Sequence, residues 1–139
     1  MALTRSKGMD REPPAPSAQQ ERRRRSERRG RWAEWLAAGL LICKGYRILD
    51  RRVKTPFGEV DLIALRGRRI AFVEVKYRRD FGGNGRPVTH NQAERVAKAA
   101  EYWLWRQRDY RTFRIGLDCI LISTTSLPAH IPDALQPST

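Results

Sequence analysis

The chain has 139 residues, of which 28 are Lys or Arg and 15 are Asp or Glu, so its net charge is +13 at neutral pH. This length suits one domain with a single core, and the basic excess favours a polyanionic partner such as nucleic acid or an anionic membrane surface. No apolar run approaches the ~20 residues of a membrane span, and the N-terminus lacks a signal-peptide pattern. We therefore expect a cytoplasmic protein that does not enter the membrane.

Residues 1–30 are predicted to form a disordered basic extension. The first twenty residues contain Pro13, Pro14 and Pro16 and hardly any bulky apolar side chain, so they cannot bury enough surface to fold. The stretch 21–31, ERRRRSERRGR, is either a helical extension or a flexible basic arm, and phosphate contact and solubility explain it about equally well. We place the folded domain at residues 31–135 and a short tail at 136–139.

The folded part begins with an amphipathic helix, predicted from Trp32 to Lys44 and ended by Gly45. Its apolar residues recur at intervals of three and four: Ala33, Leu36, Ala37, Leu40 and Leu41. Glu34 lies at the margin of this stripe, a position that is usually solvated. A first strand is predicted over residues 46–53, before a turn at residues 55–58.

The central stretch, residues 58–76, is predicted to form a β-hairpin. A two-residue turn at Gly67-Arg68 joins its strands, and glycine at the first position suits a type II′ turn. In that register the numbers of opposed residues sum to 135. Asp61 then lies opposite Glu74 and Glu59 opposite Lys76, while Val60 and Val75 form a pair on the other face.

Opposed carboxylates on an otherwise apolar hairpin need a compensating partner. Like charges placed this way are destabilising, and a buried charge is costly unless it is coordinated or paired. The alternative is that one or both carboxylates face solvent beside arginines. Both faces of the hairpin are apolar, which indicates coverage on both sides and favours compensation. Lys76 points to the same side as Glu74, so two carboxylates and one ammonium converge on one patch.

The rest of the chain is predicted to form a polar loop, a second helix (Asn91–Arg108) and a fourth strand (Ile115–Ser123), followed by a proline-containing tail. Five polar residues beside the acidic patch are candidates for contact with a phosphate backbone, although solvated positions explain the loop arginines equally well: Arg78, Arg79, Arg86, Gln92 and Arg95. Asp118 interrupts the last strand and is predicted to pair with an arginine.

Two further residue types carry weaker predictions. Trp103 and Trp105 could stack on bases, but a tryptophan on an amphipathic helix is more often in a core or an interface. Cys43 and Cys119 lie in apolar stretches without CxxC spacing, so both are predicted to be buried thiols that form neither a zinc site nor a disulfide.

These patterns together resemble known nucleases. Asp61, twelve intervening residues and then Glu74-Val75-Lys76 resemble the PD-(D/E)xK signature, and the αβββαβ order resembles the restriction-endonuclease-like fold. That fold is an α/β class with a mixed central sheet flanked by helices. More narrowly, GEVDLIA and AFVEVKYR, after GYRIL and a helix with Glu34, look like the YraN/UPF0102 family, which itself resembles Holliday-junction resolvases. The resemblance covers about residues 30–134.

The resemblance implies a Mg²⁺- or Mn²⁺-dependent nuclease acting on structured nucleic acid, with DNA as the favoured substrate. Its ligands would be the carboxylates of Asp61 and Glu74, the carbonyl of Val75 and, from the first helix, Glu34; Lys76 completes the catalytic set. A homodimer is implied by analogy with junction resolvases of similar fold. One alternative is a nucleic-acid-binding module whose site is vestigial or structural. Another is a partner-dependent module that is active only within a DNA-processing complex.

Two departures from the family pattern concern residues outside the central triplet. The family tends to carry a Lys where Gln92 stands, and an Arg immediately before the Asp of the last strand. Here Leu117 precedes Asp118.

Overall fold

The computed structural model describes residues 14–15, 17–78 and 90–135, except for the side chains of residues 24–29. The elements are α1 (Ala18–Cys43), β1 (Arg47–Thr55), β2 (Gly58–Arg66), β3 (Arg69–Tyr77), α2 (His90–Arg106), a 3₁₀ turn (Arg108–Tyr110), β4 (Arg114–Ile122) and β5 (Ala129–Ile131). The predicted α/β class and the order of one helix, three strands, one helix and one strand are confirmed.

The sheet has five strands in the order β1-β2-β3-β4-β5. All neighbouring pairs are antiparallel except β3 and β4, which are parallel. Parallel neighbours need a long crossover, and the segment containing α2 supplies it. The predicted tail after β4 contains β5, which sequence reasoning missed because a three-residue strand is too short to show alternation.

The two helices cover opposite faces of the sheet, and each face has its own core. Residues Ala33, Ala37 and Leu41 of α1 pack on one face with the sheet residues Leu62, Ala64, Ala71, Val73, Ile120 and Ile122. Residues Ala93, Val96, Ala99, Ala100 and Trp103 of α2 pack on the other face with Val60, Ile63, Ile70, Phe72, Leu117 and Cys119. The central strands are therefore buried on both sides, as their apolar runs predict.

The predicted hairpin register is confirmed from the turn to the middle of the strands. The partners run from Arg66↔Arg69 to Leu62↔Val73. Gly67 has φ 58°, as a type II′ turn requires at its first position. The pairs predicted beyond Leu62, including Asp61 with Glu74, lie outside this ladder, and Val60 and Val75 face opposite sides of the sheet.

Helix α1 begins at Ala18, within the segment predicted to be a disordered extension. Ser17 caps it: its hydroxyl accepts from the Gln20 N–H, and the Gln20 side chain accepts from the Ser17 N–H. Of the two forms predicted for the basic stretch 21–31, the structure therefore shows the helical extension. Residues 1–13, 16 and 136–139, which include most of the predicted tails, lie outside the described part of the chain.

Asp118 pairs with an arginine as predicted, and the arginine is Arg69. The guanidinium donates to both carboxylate oxygens at 2.8 Å, and the Asp133 N–H and His130 Nε2 lie 2.8 and 2.9 Å from the same carboxylate. Burial raises the pKa of the Asp118 carboxyl, but these hydrogen bonds outweigh burial and hold that pKa well below its usual range. Gly116 leaves room for Arg69, since a Cβ there would lie 2.2 Å from Nη2.

The two cysteines and two of the tryptophans settle the remaining predictions of burial. The Cys119 thiol is buried, and burial raises its pKa to about 11, but Cys43 is exposed and its predicted burial is wrong. Trp103 belongs to the α2 core, so it is not available for base stacking or an interface, whereas Trp105 is 82% exposed. Within the described residues, neither helix is long and apolar enough to cross a membrane.

Candidate functional site

The acidic patch lies in a cavity of about 230 Å³ at one edge of the sheet. Because β2 and β3 are antiparallel, the start of β2 and the end of β3 meet at this edge. The first turns of α2 form the opposite wall. The lining residues are Gly58, Glu59, Asp61, Glu74, Gln92, Arg95 and Val96. The structure thus brings together Asp61, Glu74, Gln92 and Arg95 from the predicted site, and adds Glu59.

Asp61 lies where the hairpin ladder ends. Its Oδ2 accepts a hydrogen bond of 2.8 Å from the backbone N–H of Val75, so a side chain takes a place that a backbone carbonyl would occupy in a regular ladder. Beyond this point the side-chain alternation of β2 changes, which puts Val60 on the α2 side. The prediction that Asp61 and Glu74 are directly opposed in a regular ladder is therefore wrong.

The environment of Asp61 disfavours its ionised form. Burial is the largest cause and raises the pKa of its carboxyl to about 6, against the opposing effect of the Val75 hydrogen bond. The negative charges of Glu74, Glu34 and Glu59 raise it further. A cation bound beside Asp61 would relieve this repulsion, so the site is electrostatically suited to one.

Lys76 is the basic residue of the predicted triplet, and it lies beside the acidic cluster. Its Nζ lies 2.9 Å from Oε1 of Glu74, and both side chains are about one-fifth exposed. The ammonium therefore offsets the charge of Glu74, and it stays accessible from the surface. The predicted convergence of Asp61, Glu74 and Lys76 at one edge of the sheet is present.

Glu34 approaches the cluster from α1 but is held by a residue that sequence reasoning missed. Arg52 Nε donates to Glu34 Oε2 at 2.7 Å. Arg52 has φ 50°, in a region that a non-glycine residue seldom adopts in a strand. The hydrogen bond and the charge of Glu34 raise the pKa of the Arg52 guanidinium, with smaller contributions from Glu59 and Asp61. No sequence pattern could have linked Arg52 to Glu34, because the pairing depends on how α1 crosses β1.

The donor set fits a hard divalent cation with few protein ligands. Over the described ranges, no three His, Cys, Asp or Glu side chains group closely enough to hold a metal ion. Mg²⁺, however, usually keeps several waters and binds one or two carboxylates together with substrate phosphates. Asp61 and Glu74 suffice for such a site. Participation of Glu34 and of the Val75 carbonyl stays a prediction.

The predicted phosphate contacts fall into three groups. Gln92 and Arg95 line the cavity. Arg78 is exposed just after β3, and its backbone N–H donates to the Ile122 carbonyl at 2.9 Å. Arg79 and Arg86 lie outside the described residues.

Residues 33–122 match the family model of the uncharacterised protein family UPF0102. The chain belongs to this family. A UPF0102 protein of Rhodopseudomonas palustris (strain BisB18) is 42% identical over 133 residues, covering 96% of this chain and 98% of its own length. UPF0102 proteins of Mesorhizobium japonicum and Nitrobacter winogradskyi are 44% and 45% identical, covering 81% and 77% of this chain and 90% and 91% of their own lengths.

The segment that matches UPF0102 contains the whole acidic cavity. It begins at Ala33 in α1 and ends at Ile122, the last residue of β4. The basic first half of α1 and strand β5 lie outside it. The family match therefore coincides with the two-sided core and its acidic edge.

Proposed function

We propose that this UPF0102 protein is a metal-dependent nuclease that hydrolyses phosphodiester bonds of structured nucleic acid, preferentially DNA, in the cytoplasm. The observation that carries the proposal is the convergence of Asp61 and Glu74, from adjacent strands, in one cavity with Lys76 bonded to Glu74. Burial and the neighbouring carboxylates raise the pKa of Asp61, which makes a divalent cation a favourable occupant.

Lys76 and four of the residues that line the cavity have distinct roles in this proposal. A bound Mg²⁺ or Mn²⁺ would supply Lewis acidity and a water of lowered pKa. Asp61 and Glu74 hold the cation, and the Val75 N–H fixes the Asp61 carboxylate in position. Lys76 offsets charge that develops on the phosphate oxygens. Arg95 and Gln92 on the opposite wall orient the nucleic acid backbone.

The basic surface supports the choice of a nucleic acid substrate. Residues 31–139 hold nineteen basic and eleven acidic side chains, so the folded part is basic without the N-terminal stretch. Contacts of such a surface with phosphates do not depend on base sequence and weaken steeply with salt. The shape of the nucleic acid, rather than its sequence, would then decide specificity.

A second candidate function is a nucleic-acid-binding module without independent catalysis. The two ion pairs of the site favour it, since Lys76 is engaged by Glu74 and Glu34 by Arg52. In that case the acidic residues are structural or await a partner protein. The two functions predict different consequences for substitution of Lys76.

The test is cleavage of a labelled panel containing single-stranded DNA, duplex, flap, four-way junction and RNA hairpin. We expect the wild type to cleave with Mg²⁺ or Mn²⁺ and to be inactive with chelator. Lys76→Ala should lower the single-turnover rate about 100-fold and leave binding affinity and thermal stability nearly unchanged. If Lys76→Ala instead unfolds the protein, or if no substrate is cleaved, the binding module is the better account.

A further inference from the structure

A second cavity lies between α1 and β1. It has a volume of about 550 Å³ and is lined by Arg31, Glu34, Trp35, Ile48, Leu49, Asp50, Arg51 and Arg52. We call it the Trp35 groove. Apart from Glu34, which stays a predicted cation ligand, its residues have no part in the cleavage proposed above, so its composition calls for a separate explanation.

Trp35 does not serve the core. Its side chain is 63% exposed, whereas the buried residues among the described side chains of α1 are Ala33, Ala37, Ala38 and Leu41. The guanidinium of Arg51 lies 4.3 Å from the centroid of the Trp35 ring. An exposed indole beside an arginine offers flat π surfaces, and these stack on nucleobases regardless of base identity.

The charges of the groove favour an anionic occupant. Three arginines line it against two acidic residues. Both acids are engaged locally: Glu34 accepts from Arg52, and Asp50 accepts from the Arg51 N–H at 2.8 Å. On the N-terminal side of Trp35, α1 continues through the arginine-rich stretch 22–31. The positive charge around the groove would not complement a protein partner with an apolar surface.

Arg52 and Glu34 connect the groove to the acidic cavity. Both residues line the groove. Strand pairing sets Arg51 opposite Leu62 and Val53 opposite Val60, so Arg52 lies next to Asp61, which lines the acidic cavity. Arg52 Nε also donates to Glu34 Oε2 at 2.7 Å. A strand whose phosphate lies at Asp61 and Glu74 can therefore continue past Arg52 towards Trp35.

We propose that the Trp35 groove binds an unpaired nucleotide next to the phosphate at the acidic cavity, with the base stacked on Trp35 and the backbone held by Arg31 and Arg51. The inference rests on the proposed function for its substrate class, and it names unpaired strands, rather than blunt duplex, as the preferred substrate. The stacked partner is a base and not the phosphate alone, which separates the groove from general electrostatic binding.

The test measures fluorescence anisotropy of a labelled oligo-deoxythymidine, an abasic oligomer of equal length and a blunt duplex. It uses the full chain with chelator and about 0.15 M salt, so that cleavage is absent and non-specific attraction is weakened. Trp35→Leu should bind oligo-deoxythymidine about 5- to 100-fold more weakly than the wild type and bind the abasic oligomer equally well. Trp35→Phe should stay close to the wild type.

Trp105→Leu is the matched control, because Trp105 is an exposed tryptophan on α2, outside the groove. Equal losses for the abasic and base-bearing oligomers, equal losses in both leucine variants, or no binding by the wild type would overturn the inference. So would a fall in sedimentation mass on Trp35→Leu, which would make the groove a contact between copies. Base-dependent binding without metal-dependent cleavage would refute the proposed nuclease but support the proposed role of the groove. Metal-dependent cleavage, together with unchanged binding by Trp35→Leu, would support the nuclease and refute the role of the groove.

Discussion

Replacing Arg69 with Ala is expected to lower the free energy of unfolding by about 3–5 kcal/mol. The substitution removes both hydrogen bonds that the guanidinium donates to Asp118 and leaves a fully buried carboxylate without its main compensating charge. It also removes the bonds of Arg69 to Asp133 and to the Tyr46 hydroxyl. Urea denaturation of the two proteins near pH 7, followed by circular dichroism, measures the difference.

Acid titration gives the same prediction a second readout. The lowered pKa of Asp118 stabilises the wild type fully above the ordinary carboxyl pKa of ~3.9, and this contribution is lost as pH falls towards the lowered value. In Arg69→Ala, most of this pH-dependent part of the free energy of unfolding should be absent. Gly116→Ala should act in the same direction, because the added Cβ would occupy the space of the guanidinium.

Arg68→Ala provides the control for Arg69→Ala. Arg68 is exposed and precedes Arg69 in the chain, and the Arg68 guanidinium lies 5.9 Å from the centroid of the Phe113 ring. Replacing Arg68 should therefore change the free energy of unfolding by about 0.5 kcal/mol or less. If Arg69→Ala were as mild as Arg68→Ala, the Asp118 network would not be the structural anchor of β4 that its geometry indicates.

Replacing Asp61 with Asn is expected to stabilise the metal-free protein by about 1–3 kcal/mol near pH 7 and to reduce metal-dependent cleavage about a thousandfold. The amide keeps an oxygen that can accept the Val75 N–H and removes the charge that burial and the neighbouring carboxylates penalise. Since the folded pKa of Asp61 is raised to about 6, its stabilising contribution is present below the unfolded value of ~3.9 and is lost as pH rises through 6.

The pH dependence and the metal dependence check this prediction together. With chelator, the stability difference between Asp61→Asn and the wild type should be small near pH 4 and reach its full size near pH 7. Millimolar Mg²⁺ should raise the melting temperature of the wild type more than that of the variant, because a ligand stabilises only the state that binds it. Asp118→Asn should instead destabilise the protein, since its pKa is lowered. An Asp61→Asn protein that is less stable at every pH would contradict the account.

The central hairpin could be predicted from the sequence because its determinants are local. The turn at Gly67-Arg68 and the apolar runs on both sides fix the register from Leu62 to Arg66 and its partners. The pairing of Asp118 with an arginine follows from the cost of a buried charge, although only the structure shows that the arginine is Arg69 of the neighbouring strand.

The edge of the site could not be predicted, because it depends on departures from regular pairing. Asp61 replaces a ladder partner by accepting from Val75, and a period-two pattern contains no sign of that exchange. The Arg52–Glu34 pair joins residues of β1 and α1 through the packing of a helix on a strand. Strand β5 is held by pairing with β4 rather than by an apolar pattern of its own.

The most direct test of the proposed nuclease is single-turnover cleavage by Glu74→Ala beside the wild type, with Mg²⁺, with Mn²⁺ and with chelator. Glu59→Ala is the matched control, because Glu59 lines the same cavity and is absent from the proposed cation ligands. We expect Glu74→Ala to be about a thousandfold slower with unchanged binding, while Glu59→Ala stays within about tenfold of the wild type. Cleavage by Glu74→Ala at the wild-type rate, or metal-independent cleavage by the wild type, would contradict the assignment of Asp61 and Glu74 as a catalytic metal site.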